Sequence, residues 1–553
     1  MFFRQKRSGK YTYLQIVENR WEDGRSKQRV IVTLGRLDEL REQGQLDALL
    51  RSGAKLSQAA MVLTAQQQGE LPVIATKRIG PELIFQRLWS ELKIPQVLTA
   101  LLAPRRFECP IERVVFLTVL HRLLHGGSDR NCMVWKDDYH LPGTETLQLH
   151  QMYRAMAWLG EPLGKDDQEG ATPFAPRCIK DQIEEGLFHR RRDLFSELAL
   201  VFYDTTSIYF EGRGGETIGQ YGHSKDHRPD RVQMVVGVVL DGQGRPLCCE
   251  LWPGNITDVK TLLPIVDRLR KRFAIRGVCV IADRGMISQG TIEELQSAER
   301  RVHYVLGARL RSVKEIREKV LSHPGRYREV HGPKEKSGDP APLQVKNVRI
   351  DERRYVVCLN VDQAKKDRAD RDAIVAALEE QLQRGDKSLV GNRGYRKYLK
   401  SSKTHFEIDQ QKIKSEARYD GKWVLRTDLD ELSAEDVALR YKQLWMVEDC
   451  IRSIKSILDT RPIFHHHDET IRGHVFCSFL ALVLRKELQD RLTAAGYSPE
   501  WADVLRDLES LQSVEVEYQG KRFRLRSEAS GTCSQVFQAV GVAFPPTMEH
   551  VID

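Results

Sequence analysis

The chain has 553 residues, enough for three or four domains at the usual ~150 residues each. With 41% hydrophobic and 29% charged residues it has the make-up of a folded globular protein, which excludes a disordered or fibrous chain. Its 86 Lys and Arg against 77 Asp and Glu leave a formal charge of +9, a balance suited to a polyanionic partner. The longest uncharged run in a helix pattern, Val475 to Leu484, is ten residues closed by Arg485. About 20 are needed to span a bilayer, so no membrane helix is predicted. The start, Met1 to Arg7, becomes charged at once without an apolar stretch, which predicts a cytoplasmic rather than a secreted protein. The ten cysteines lack CxxC spacing, and only Cys248 and Cys249 are adjacent, so they read as buried thiols of a reducing compartment.

In chain order, residues 10 to 35 predict a β-hairpin: Tyr11, Tyr13, Gln15 and Val17 alternate with Thr12, Leu14 and Ile16, Asp23-Gly24 is the turn, and Val30-Ile31-Val32 returns. Leu37 to Gln68 is helix-prone, with Leu40, Leu46, Leu49 and Leu50 as a narrow apolar stripe. Residues 80 to 195 read as helices, the clearest from Ile111 to Leu124. Then come apolar strand-like runs at Leu198–Tyr203, Val232–Leu240, Leu247–Trp252, Gly277–Ala282 and His303–Leu306, with a helical stretch from Val259 to Phe273. Such runs are expected of strands covered on both faces, so the prediction is a mixed sheet with helical covers. From 310 to 425 the chain is charge-rich, with strands predicted at Arg354–Val361 and Lys422–Arg426 and a helix at Asp370–Arg384. Residues 384 to 426 carry 12 Lys and Arg against 5 Asp and Glu, an excess of seven. Ser433-Ala-Glu-Asp436 is a capping box expected to open one long helix through Lys455. No internal repeat or low-complexity tract is present.

Asp204 and Asp283 each stand where an apolar run stops. A carboxylate fixed at a strand end can share a metal with a neighbour, although one such Asp alone is also a good turn cap. A third acid is offered by Glu448. Tyr441, Glu448 and Lys455 are spaced seven and seven, which stacks them on one face of a continuous helix together with Leu444 and Ile451. The bland reading of Glu448 is a surface pair with Arg452 at i+4.

The segment Tyr441-x2-Leu444-x3-Glu448-x6-Lys455 resembles the Y-x2-R-x3-E-x6-K signature of the DDE transposases of bacterial insertion sequences, in the insertion-sequence-four superfamily. Tyr203-Asp204-Thr205-Thr206-Ser207 and Ile281-Ala282-Asp283-Arg284-Gly285 resemble the two aspartate motifs of that family. Tyr221-Gly222-His223-Ser224-Lys225, Pro253-Gly254-Asn255 and Asp258 are similar to the stretch that links them. Arg461-Pro462-Ile463 and the apolar helix from Ile471 to Leu484 resemble its tail. The likeness runs from about residue 10 to 485. It departs at Leu444, where the motif has Arg; Arg440 and Arg452, one and two turns away, are the candidates to replace it.

The resemblance implies a ribonuclease-H-like α/β core, a mixed sheet with two Asp on adjacent strands and a helix bringing the Glu. A β-rich insertion separates the second Asp from that Glu. It implies that Asp204, Asp283 and Glu448 hold two Mg²⁺ ions, for which Mn²⁺ substitutes, one activating the attacking oxygen and the other stabilising the leaving one. Hard oxygen ligands suit such ions. Tyr441, Lys455, Arg452 and Arg284 are the expected DNA contacts. The domain division expected is a hairpin and helix (1–75), a helical DNA-binding region (76–196), the first part of the core (197–310), a basic β-containing insertion (311–430), the helical part of the core (431–490) and a tail (491–553). The function expected is cutting and joining DNA at an element's terminal inverted repeats, by a homodimer on end and target DNA in a nucleoid-associated setting. The alternatives are a ribonuclease-H-like nuclease and a non-catalytic DNA-binding descendant.

Other groupings point elsewhere. Three consecutive histidines, His465-His466-His467, cannot all face one way and read as a polar loop. His189-Arg190-Arg191-Arg192 reads as a solvated face. Gly212-Arg-Gly-Gly215 lacks the Lys-Ser/Thr of a phosphate loop. Asp258 falls at a helix start, where capping accounts for it.

Overall fold

The computed structural model describes residues 1–551 except 23–24, 56–61, 63–64, 68, 70, 170, 173–174, 191–198, 274–277, 287, 298, 335, 337–338, 384–394, 402–405, 458–459, 461–462 and 519. Outside the described residues lie the turn Asp23-Gly24, Arg191-Arg192, Arg393, Lys403 and Arg461-Pro462.

The chain opens with three strands, β1 (Phe2–Ser8), β2 (Tyr11–Glu22) and β3 (Arg25–Arg36), paired antiparallel in that order. The expected hairpin is therefore the second half of a three-stranded sheet. β1 escapes pattern reading because everything after Phe2-Phe3 is charged or polar, leaving no apolar alternation. Helices α1 (Leu37–Glu42) and α2 (Gln45–Lys55) follow, then β4 (Val73–Arg78). Next come α3 (Gly80–Glu91), α4 (Ile94–Leu102), α5 (Ile111–Leu124), α6 (Asp129–Trp135), α7 (Leu149–Leu159) and α8 (Ile179–Arg190).

The strands of the core are β5 (Ala199–Tyr209), β6 (Gln233–Asp241), β7 (Pro246–Pro253), β8 (Val278–Ala282) and β9 (His303–Ala308). Helices α9 (Leu262–Phe273) and α10 (Gln289–Gln296) flank β8 in sequence. The insertion contributes β10 (Arg328–His331), β11 (Leu343–Ile350), β12 (Arg353–Leu359), the helix α11 (Val361–Gln383), the small pair β13 (Leu399–Ser401) and β14 (Phe406–Ile408), α12 (Gln410–Ala417) and β15 (Lys422–Thr427). Four of these strands join the core, making one nine-stranded sheet in the order β10-β11-β12-β15-β9-β8-β5-β6-β7. Within it β9-β8-β5-β6-β7 is a ribonuclease-H-like core: β5, β8 and β9 are parallel, β6 returns antiparallel to β5, and β7 pairs antiparallel with β6. β6 and β8 are buried along their whole length, as their unbroken apolar runs require.

The helices α13 (Ala434–Lys442), α14 (Trp445–Arg452) and α15 (Asp468–Ala494) come next. α9 and α10 share a core with β5, β8 and β9 through Val201, Tyr203, Val280, Ala282, Leu306, Ile265, Leu269 and Ile292. α14 packs against β5 and β6, and α13 against β8, β9, β11 and β12. α15 is apolar on nearly all sides from Ile471 to Leu484, and it is buried because α5 and α7 pack along it. No helix among the described residues is long and apolar enough to cross a membrane.

The chain closes with α16 (Trp501–Ser510), β16 (Gln512–Tyr518), β17 (Lys521–Arg526) and β18 (Met548–His550). β16 pairs with β4, so a sheet ordered β18-β17-β16-β4 unites the two ends of the chain. Val62, Val516, Phe523 and Leu525 are its core. Two compact units result: 1–80 with 506–534 and 543–553, and 81–505 with 535–542. All ten cysteines are free, and all but Cys109 are buried.

Candidate active site

The parallel pair β5 and β8 is in register through Tyr203 opposite Ala282. The next residues, Asp204 and Asp283, therefore lie side by side at a strand spacing of about 4.8 Å. Asp283 ends its strand as expected; the chain leaves the sheet there into a short turn at Arg284–Met286. Asp204 does not end β5. The strand runs on to Tyr209, with Asp204 opposite Val238 of β6. The apolar run stops at the acid because Thr205, Thr206 and Ser207 are polar, yet all three are buried and continue the ladder.

Asp204 accepts a hydrogen bond from the Thr205 backbone N–H at 2.7 Å. Burial, reinforced by the repulsion of Asp283 and Asp258 against the attraction of Lys225, pushes its carboxyl up to about 6. Asp258 does not cap its helix. Its Oδ1 accepts the Thr205 hydroxyl at 2.7 Å, and its Oδ2 pairs with Lys225 Nζ at 3.1 Å. Lys225 also donates to the Thr205 carbonyl at 2.8 Å. The loop carrying Lys225 is pinned by a close backbone approach, since a Cβ on Gly222 would stand 1.9 Å from the Gly254 carbonyl oxygen. Because the folded protein holds the Asp204 proton more tightly than the unfolded chain does, this group favours folding fully below the ordinary Asp pKa of about 3.9. That contribution is lost as pH climbs through about 6. Asp204→Asn is thus expected to raise the thermal midpoint of the metal-free protein at neutral pH, with the gain vanishing below about pH 4. Equal midpoints at both pH values would count against a buried, charge-crowded Asp204.

The helix bringing Glu448 is not the single rod expected. Ser433 caps α13 through the Asp436 N–H, but the ladder tightens after Tyr441. Leu444 N–H bonds Tyr441 O, Met446 N–H bonds Gln443 O and Val447 N–H bonds Leu444 O, all i to i−3. After α14 it widens into a π-turn at Ser453–Ile457. A tight turn advances the side-chain phase and a wide one retards it, so the seven-and-seven stripe does not survive as one face. Tyr441 instead points to the acids, its hydroxyl donating to Asp283 Oδ1 at 2.9 Å. Burial and the Asp283 charge raise the pKa of that phenol, and Glu448 is near enough to add to the rise. Glu448 itself is exposed, and its carboxylate has no ion-pair or hydrogen-bond partner among the described residues. Lys455 is largely buried, with Nζ 2.7 Å from Asp226. Leu444 is buried, so at the position where the motif has Arg this chain places a core residue. Arg452 lies exposed beside Asp449 at 3.6 Å, and Arg284 is exposed on the turn after Asp283. In the insertion, Lys397 pairs with Glu416 at 2.7 Å and Lys400 with Asp409 at 3.5 Å, so part of its charge excess is matched internally.

Sequence reading places Lys225 in the linking stretch without a role, and it misses Asp226 and Gly307. β8 and β9 pair through Ala282 opposite Leu306, which sets Gly307 abreast of Asp283. A Cβ on Gly307 would lie 2.3 Å from the Tyr441 hydroxyl oxygen, so glycine is what lets the phenol reach the acid. Gly307→Ala is expected to push Tyr441 off Asp283 at a cost of about 1–3 kcal/mol. Tyr441→Phe removes the same hydrogen bond without that clash, so its thermal midpoint should stay closer to wild type than that of Gly307→Ala. Equal losses in the two variants would mean that the Gly307 contact is not what lets Tyr441 reach Asp283.

Residues 196–484 match the model of the transposase DDE domain, and residues 3–67 match the N-terminal domain of IS1634 family transposases. No curated protein matches the chain significantly. Among solved structures, the piggyBac transposase synaptic complex with hairpin DNA is similar at 12% identity over 78% of this chain and 79% of that one, with a TM-score of 0.37. The Mos1 mariner paired end complex with Mn is similar at 14% identity over 39% of this chain and 75% of that one, with a TM-score of 0.13. Transposases with a DDE domain are metal-dependent. The first 67 residues are similar to the IS1634 family; the match to the DDE domain covers more than half of the chain, and the chain belongs to the DDE transposases of bacterial insertion sequences.

Proposed function

We propose that Asp204, Asp283 and Glu448 are the catalytic acids of this transposase, holding two Mg²⁺ ions, with Mn²⁺ a substitute. We propose further that it cuts and joins DNA at the terminal inverted repeats of its own insertion sequence as a homodimer. The observation carrying this reading is the register that sets Asp204 beside Asp283, with the helix of Glu448 packed on the same strand. The donor set fits such ions: hard carboxylate oxygens, one of them an acid pushed up to about 6 by burial among like charges. When bound, the ions activate the attacking oxygen and stabilise the leaving one at phosphorus.

The protein's own groups then have distinct tasks. Strands β5 and β8 hold two acids rigidly, and Tyr441 orients Asp283 by donating to one oxygen. Lys225 neutralises part of the acid cluster and ties it to the Asp258–Thr205 pair. The exposed side chains of Arg284 and Arg452 can meet phosphates on either side of the scissile bond. Lys455 can reach DNA only by leaving Asp226. Lys455→Gln is therefore expected to destabilise the protein by about 1.5–3 kcal/mol as the largely buried Asp226 loses this charged contact. A variant of unchanged thermal midpoint with a salt slope shallower by about one would instead assign Lys455 wholly to phosphate contact. The function is tested by incubating the protein and Mg²⁺ with a duplex ending in the element's terminal repeat. Cleavage at the repeat boundary is expected, and a scrambled end should stay intact; equal cutting of both would favour a plain nuclease.

A further inference from the structure

Away from the acids, a second cluster joins three distant segments. Asp129 stands in the first turn of α6, His465 lies in the loop before α15, and His474 is inside α15. Among the described residues this is one set of three ligand atoms that all lie within 4.8 Å of one another. His465 Nε2 is 3.3 Å from Asp129 Oδ2 and 3.1 Å from His474 Nδ1. Metal–ligand bonds of about 2.0–2.1 Å at tetrahedral angles put neighbouring ligand atoms about 3.3 Å apart, so two edges of this triangle already have the required length. We propose that Asp129, His465 and His474 form a binding site for one divalent transition-metal ion of the Zn²⁺ class, separate from the catalytic acids.

The surroundings prepare each ligand. His474 Nε2 lies 3.2 Å from the Thr460 carbonyl oxygen, which fixes the proton on that nitrogen and leaves Nδ1 with its lone pair. Burial keeps this imidazole neutral, the form that ligates. Asp129 is a carboxylate, because Arg122 and the two histidines outweigh its burial. Arg122 Nη2 donates to Asp129 Oδ1 at 2.8 Å, leaving Oδ2 turned to the histidines. The same nitrogen lies 2.9 Å from His474 Nδ1, a contact an incoming ion takes over, while Arg122 keeps Asp129 Oδ1 and the Gly127 carbonyl. The fourth position opens to a cavity of about 810 Å³ walled by Tyr153, Phe464 and His466. Of the three consecutive histidines only His465 turns inward; His466 and His467 are exposed. A metal here would clasp the helical region to the last helix of the core.

The test is titration of the full-length protein with Co²⁺, in an Asp204→Asn, Asp283→Asn background that removes the acid site as a competitor. One equivalent is expected to give the intense visible absorption of tetrahedral Co²⁺, displaced by one equivalent of Zn²⁺ and indifferent to Mg²⁺. His465→Gln and Asp129→Asn should each weaken binding by more than about tenfold, while His467→Gln should leave it unchanged. The proposal is overturned if the unsubstituted cluster gives no such absorption, or if the absorption survives His465→Gln. It is also overturned if His467→Gln weakens binding as much. His465 lies at the cavity wall, so its variant still decides the question if Asp129→Asn fails to fold.

Discussion

Asp204→Asn, Asp283→Asn and Glu448→Gln are each expected to reduce Mg²⁺- or Mn²⁺-dependent cleavage of element ends by at least about a thousandfold, leaving end binding within a factor of two. The size follows from what the acids are proposed to hold. A metal ion that stabilises charge at the transferring phosphorus contributes several kcal/mol, and each 1.36 kcal/mol is tenfold in rate. The asymmetry between chemistry and binding follows from where the charges sit. Backbone affinity for DNA comes from Lys and Arg neutralising phosphates, and removing a carboxylate does not weaken that attraction. The three substitutions keep shape and remove only charge. Glu448 is the most exposed of the three and the one carried by a helix, so Glu448→Gln is also the variant with the least effect on folding. Any one of them cleaving at near the wild-type rate would remove that residue from the acid set, and the neighbouring Asp258 would become the next candidate.

Arg272→Met should lower stability by about 3–5 kcal/mol, more than Gly307→Ala or Lys455→Gln, seen as a lower denaturation midpoint without altered metal requirement. Arg272 is almost wholly buried beneath the sheet, within a network of Lys180, Arg268 and Arg272 against Asp181, Glu184 and Glu250. Its Nη2 lies 2.7 Å from Glu184, its Nε 2.7 Å from Glu185 and its Nη1 3.2 Å from Glu250. Lys180 pairs with Asp181 at 2.5 Å, and Arg268 pairs with Glu250. The three deep cations and three deep acids balance, so methionine leaves buried carboxylates facing too little positive charge. Replacing a whole buried network by apolar residues can be neutral, whereas breaking one member cannot. A midpoint within experimental error of wild type would mean that water or a side-chain shift compensates the loss.

The network also marks where sequence reading stops. Arg268, Arg270, Lys271 and Arg272 look like the solvated side of an amphipathic helix, and nothing in their spacing tells that two of them face inward to acids on α8 and β7. The core strands are legible because β6 and β8 are covered on both faces and write that as unbroken apolar runs. Asp283 is legible for the same reason. The true length of β5 is hidden by the buried Thr205, Thr206 and Ser207; the hydroxyls of Thr205 and Ser207 find partners that pattern does not reveal. The break between α13 and α14 is hidden as well, since a change from i−4 to i−3 bonding at Gln443–Val447 needs no Gly or Pro. The union of β4 with β16 depends on partners far along the chain. His465 is hidden because its neighbours cannot share its direction, while Asp129 and His474, which meet it, lie 336 and 9 residues away in sequence.

The most direct measurement is a structure of the protein bound to its terminal-repeat DNA with Mn²⁺, in which anomalous scattering locates the ions. The expected result is Mn²⁺ shared between Asp204 and Asp283, with Glu448 completing the acid set and the scissile phosphate against it. Ions held elsewhere, or a site in which Asp258 ligates while Glu448 points to solvent, would contradict this assignment.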